Sequence, residues 1–157
     1  MQAGYSLLEL VIYIGLFALL SIVLMQSLMS VVRTYAAASR YRTLQTNGEI
    51  VMERITRSVR GAQTVATSLC SASSGTLVTT DSVGSTNAFA LSSGTLTLAV
   101  DGGAASPLTT SEVSVTTFTV CPITTPVGSG TKVTLTLATT GSTPTTASFY
   151  TTTMSRQ

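Results

Sequence analysis

The chain has 157 residues, a formal net charge of +2, only 9% charged residues and a mean hydropathy of +0.45. It contains no histidine, which excludes a His-centred general base, a His metal ligand and the usual His-containing triads. With about thirty residues committed to one apolar stretch, the remainder suffices for a single small globular domain.

That stretch comes first. From Leu7 to Val32 nearly every residue is apolar or small, and the only charge is Glu9. As a helix this segment reaches roughly 39 Å, more than the ~30 Å of a bilayer's hydrocarbon. It is long enough to cross a membrane. An acidic group at depth in lipid costs on the order of 2–3 kcal/mol, so Glu9 needs a reason to be there. A secretory signal peptide fits poorly, because the apolar run is too long and the candidate cleavage site precedes it.

The run Gly4–Tyr5–Ser6–Leu7–Leu8–Glu9, followed by the apolar stretch, resembles the amino-terminal signature of type IV pilins and type II secretion pseudopilins. Two features depart from the usual pattern: Tyr5 stands where Phe is commoner, and Met1–Gln2–Ala3 carries no basic residue. The resemblance implies that residues 1–4 are a leader, cut after Gly4 by a prepilin peptidase that then methylates the new amine on Tyr5. It also implies that Glu9 accepts the positive N-terminus of a neighbouring subunit during assembly. A buried carboxylate without a partner is costly, whereas a paired one is tolerated and can fix register.

The helical pattern continues from Tyr5 to about Arg60, with residues 5–32 as the membrane or filament-core part and 33–61 as an amphipathic part. Gly15 and Gly48 weaken it by about 1 kcal/mol each, and no proline occurs before Pro107. Gly15 reads as a place for close helix packing. Tyr41, Leu44, Gly48, Val51, Ile55 and Val59 recur at steps of three and four and share one face. Arg40, Arg42, Arg54, Arg57 and Arg60 fall largely off it. Glu53 and Arg57 form an i,i+4 pair in the favourable order, and Gly61 suits the position after a helix end. The Glu53–Arg60 pattern looks like the helix end of J-type pseudopilins and W-type pilins.

After Gly61 the period changes to alternation. Candidate strands are Gln63–Ser68, Gly75–Thr80, Ala88–Leu91, Thr95–Val100, Glu112–Val120, Lys132–Ala138 and Ala147–Met154, rich in Val, Thr, Leu and Phe. Ser92–Gly94 and Asp101–Gly103 supply turns. In Glu112–Val120 the apolar residues switch faces between Val115 and Phe118. A bulge near Thr116–Thr117 would bring them to one side; the alternative is a strand buried on both faces. Ser68–Ser74, Ser82–Asn87, Ala104–Ser111, Pro122–Gly130 and Thr139–Thr146 read as polar loops. The expected fold class is α+β: a long N-terminal helix whose second half packs on a small antiparallel domain over 62–157.

Cys70 and Cys121 lie in this second part. Outside the cytoplasm they are free to form a disulfide; otherwise they are two small buried residues. No CxxC, phosphate-binding Gly-rich loop or paired-carboxylate motif occurs, and Asp81, Asp101 and Glu112 sit apart near turns. No enzyme activity, metal or cofactor is expected. The arginines read as a solvated or subunit-facing helix surface, and nucleic acid is not an expected partner.

What the resemblance implies as function is a minor pilin or pseudopilin, a structural or assembly-initiating subunit. Its expected partners are other pilins or pseudopilins through the helix, the prepilin peptidase, the inner-membrane assembly platform and membrane lipid. The expected location is a single-pass inner membrane protein with an extracytoplasmic domain, later an extracellular or periplasmic filament. Arg33 after the span would, by the positive-inside rule, keep that side in the cytoplasm; the Gly4–Glu9 pattern sets the opposite orientation. Alternatives are a major structural pilin, a single-span anchored β-domain that binds a ligand or surface without assembling, and a secreted hydrolase on a signal anchor.

Overall fold

A computed structural model describes residues 6–67, 70, 73–125, 128–141 and 144–155. Gly4 and Tyr5 lie outside the described residues. The chain forms two units, Met1–Ser39 and Arg40–Gln157. Helix α1, Leu7–Gly61, contributes to both.

The first unit contains the apolar part of α1. Its apolar side chains are exposed, among them Leu7, Phe17, Leu20 and Val32. The helix is long and apolar enough to cross a membrane. Two hydroxyls within it are satisfied by the helix itself. Ser21 Oγ donates to the Phe17 carbonyl at 2.8 Å, and Thr34 Oγ1 to that of Ser30 at 2.9 Å. Such back-bonding lets a hydroxyl sit in an apolar surrounding without an unpaired donor.

The second unit is built on the other part of α1. Leu44, Asn47, Gly48, Val51, Ile55 and Val59 are its buried residues. Tyr41, grouped with that face by spacing, is instead 48% exposed. The apolar stripe extends one turn beyond the strands that cover it. Arg57 pairs with Glu53 on the exposed side.

Eight strands follow. β1 (Ala62–Thr67), β2 (Thr76–Asp81), β3 (Thr86–Ser92), β4 (Thr95–Val100) and β5 (Ser106–Pro107) form one antiparallel sheet in that order. β6 (Val113–Thr125), β7 (Gly128–Thr139) and β8 (Thr146–Met154) form a second. The fold class is therefore α+β, one long helix and antiparallel sheets. Leu77, Phe89, Leu96 and Leu98 from the first sheet share one apolar cluster with the helix face and with Val113, Val115, Phe118, Val120, Val133, Leu135 and Leu137 from the second.

Two strand expectations need correction. β5 lies within the segment read as a loop, because a two-residue strand with Pro107 carries no alternation signal. Within the segment read as the loop Pro122–Gly130, residues 122–125 and 128–130 also extend the β6–β7 hairpin, with Pro122 opposite Thr131 and Ile123 opposite Gly130. Pro122 is tolerated because β6 is an edge strand of its sheet, where a missing N–H costs little. The bulge lies where the face switch placed it. Thr116 is skipped between the pairs Val115–Leu137 and Thr117–Thr136. Val113, Val115, Phe118 and Val120 are all buried as a result.

Further ties fix β6. Gly75 N donates to the Phe118 carbonyl at 2.6 Å, and Phe118 N to that of Ser73 at 2.8 Å. Cys70 and Cys121 are disulfide-bonded, with Cα atoms 4.6 Å apart. Val115 N donates to the carbonyl of Gly94, in the β3–β4 turn, at 2.7 Å. Ser93 and Gly94 have φ of 49° and 76°, the left-handed pair that a two-residue hairpin requires.

Candidate functional site: Glu9 on the apolar helix

Glu9 lies in the first turn of α1. The Ser6 carbonyl accepts from Glu9 N at 3.0 Å and from Leu10 N at 3.3 Å, so Ser6 is the N-cap. A carboxylate here is favoured by the positive end of the helix dipole. Ser6–Leu7–Leu8–Glu9 also has the S-x-x-E spacing of a capping box. That signal was present in the residues, but the Glu9 carboxylate accepts from Tyr13, one turn on, rather than reaching back to Ser6.

From Ser6 to Ser39 every residue is exposed except Glu9, which is half-buried. The cause is Tyr13, one turn on. Its hydroxyl donates to Glu9 Oε1 at 3.3 Å. Among the described residues Glu9 pairs with no cation, unlike Glu53, which pairs with Arg57. Leu10, Tyr13, Ile14 and Phe17 line a shallow concavity beside it. Their spacing, i, i+3, i+4 and i+7, is that of a hole which receives one side chain from a facing helix.

Two of the other carboxylates considered for chemistry, Asp81 and Asp101, are held by the backbone and a neighbouring hydroxyl. Asp81 Oδ1 accepts from Val83 N at 2.8 Å and Ser85 N at 3.1 Å. Asp101 Oδ1 accepts from Thr86 N at 2.7 Å and Ser85 Oγ at 2.9 Å. The Thr86 amide and then the Ser85 hydroxyl hold the Asp101 carboxyl below its ordinary value of 3.8. Both side chains hold the turn between β2 and β3. Among the described residues no group of three or more His, Cys, Asp or Glu is placed to hold a metal ion. The concavity bordered by Ile50, Glu53, Arg54, Arg57 and Leu108 is a shallow surface feature, and two of its three charged residues, Glu53 and Arg57, pair with each other.

Comparison with protein-family models, curated proteins and solved structures found no match to this chain. The functional reading therefore rests on the residues themselves.

Proposed function

We propose that this chain is a minor pilin or pseudopilin, a subunit whose work is assembly rather than catalysis. One observation carries the reading: a lone carboxylate in the first turn of a helix whose apolar surface is otherwise exposed. An apolar surface of that extent needs lipid or other helices around it. A half-buried carboxylate within it needs a polar partner. The Gly4–Glu9 pattern supplies one, the freed and methylated amine of Tyr5 on an adjacent subunit. Lateral burial of the helix would then supply most of the association energy, and the Glu9 pair the axial register. The antiparallel domain and its disulfide suit display outside the cytoplasm. The subunit would be anchored in the inner membrane before it enters a filament with other pilins. The Glu53–Arg60 pattern favours a tip or priming position over the main shaft.

Mass spectrometry of the mature N-terminus tests this. The expected result is loss of Met1–Gly4 and a methylated Tyr5. An intact leader in a host with active prepilin peptidase refutes the reading.

The capping-box spacing favours a second reading, an anchored β-domain that never assembles and uses Glu9 only to start its helix. Glu9→Gln separates the two, because Gln serves a capping box but does not attract a cation. Normal incorporation of this variant into filaments would remove the register role.

A further inference from the structure

We infer that Tyr13 is a positioning residue for Glu9: its hydroxyl holds the carboxylate on the lone helix, and it is the group that an arriving cation displaces. The inference rests on the assembly reading for its purpose but not for its geometry.

Two observations join in this one side chain. Tyr13 Oη donates to Glu9 Oε1, and Glu9 is the one residue from Ser6 to Ser39 that is half-buried rather than exposed. Tyr13 is also a wall of the four-residue hole with Leu10, Ile14 and Phe17. In hydrocarbon there is no water to solvate a carboxylate, so a subunit waiting in the membrane needs a donor of its own. A phenol one turn away is such a donor, and being neutral it adds no second charge to the lipid.

The geometry also says which partner wins. At 3.3 Å the contact is longer than the usual 2.5–3.0 Å of an O–H···O bond. An ammonium brings a full opposite charge as well as its N–H, and its contact with a carboxylate closes to about 2.7–2.9 Å, whereas the phenol offers only a neutral hydroxyl. A primary or secondary ammonium reaching Glu9 therefore displaces the phenol. A side chain seated in the hole presses on the same ring. Arrival of a helix and release of the carboxylate are thereby linked through Tyr13.

The test uses the full chain in phosphatidylethanolamine–phosphatidylglycerol vesicles, with Glu carboxyl carbons labelled with ¹³C. Glu9→Gln identifies the Glu9 resonance. In Tyr13→Phe, which removes only the hydroxyl, that resonance is expected to move, while Tyr35→Phe leaves it in place. An unmoved Glu9 line in Tyr13→Phe overturns the inference. Dodecylammonium, a primary ammonium that partitions into lipid, is then titrated in. The midpoint of its effect on Glu9 is expected to fall about 2- to 10-fold in Tyr13→Phe, the worth of one hydrogen bond. Equal midpoints overturn the displacement. Neither arm needs a filament. If Glu9→Gln enters filaments normally, the register role fails while the Tyr13 bond stands. If Tyr13→Phe changes nothing, the reverse holds.

Discussion

Gly48 on α1 and Phe149 on β8 meet so closely that a Cβ at position 48 would fall within contact range of the Phe149 ring edge, nearer than atoms can approach. The helix gives up propensity at Gly48 so that an aromatic ring can lie against its backbone. Gly48→Ala therefore sets two effects against each other. Helix propensity favours the alanine by about 1 kcal/mol, while overpacking costs about 1–3 kcal/mol. The clash is with a ring held in a paired strand, so the cost dominates. We expect Gly48→Ala to lower the midpoint of thermal unfolding, and Phe149→Leu in the same chain to recover part of the loss.

Asn47 ties the helix to the segment before β6. Its Nδ2 donates to the Thr43 carbonyl at 2.9 Å, and its Oδ1 accepts from Thr110 N at 3.1 Å. The side chain is only 8% exposed. Asn47→Ala removes the acceptor of the Thr110 amide; Thr110 is exposed, so water replaces it, and the loss should cost about 0.5–1.5 kcal/mol in chemical denaturation. Asn47→Asp keeps the acceptor and should cost less.

The disulfide closes a loop between residues 51 apart in sequence. In the chain-entropy account such a closure destabilises the unfolded state by about 4 kcal/mol. Reduction, or replacement of both Cys70 and Cys121 by Ser, should lower the denaturant midpoint accordingly. An unchanged midpoint would mean that the ties from Ser73 and Gly75 to Phe118 fix β6 without it.

Asp101 gives the domain a pH dependence of known sign. Its carboxyl is held below 3.8 in the folded chain by the Thr86 amide and the Ser85 hydroxyl. The unfolded chain therefore binds the proton more tightly. The stabilisation is fully present above the ordinary carboxylate range and is lost as the pH falls below 3.8 through the lower folded value. Unfolding of Asp101→Asn, followed from pH 6 to pH 2, should show a flatter acid limb than that of the wild type. Asp101 is exposed, so the difference should be small.

Much of this fold was legible in the residues, for physical reasons that differ by element. Leu44, Val51, Ile55 and Val59 announced their face because burial selects apolar side chains at helical spacing. A bulge near Thr116–Thr117 was one of two readings, because Val113–Val115 and Phe118–Val120 cannot share a face without an extra residue; the register chooses it over a strand buried on both faces. Thr95–Val100 was read to the residue, since its alternation is clean and a Ser-Gly turn precedes it. Tyr41 was misplaced because periodicity does not say where the covering strands stop. Asn47 was missed because its partner, the Thr110 amide, lies 63 residues away. The β6–β7 extension was hidden by Pro122 and the glycines beyond it, which read as loop in any context. For the site, Glu9 stood out as the only charge in an apolar run. Tyr13 did not, because a tyrosine among leucines looks like one more apolar residue until its hydroxyl is given a direction. The Ser6–Glu9 spacing was visible and passed over.

Phe149 comes late in the chain, while the helix groove that receives it is made early. As the nascent polypeptide emerges, the face carrying Leu44, Val51 and Ile55 lacks part of its cover until the last hairpin is complete. Pairings so distant along the chain form slowly. The rest of that face stays open to solvent meanwhile, and the domain closes only after its final strand has been made.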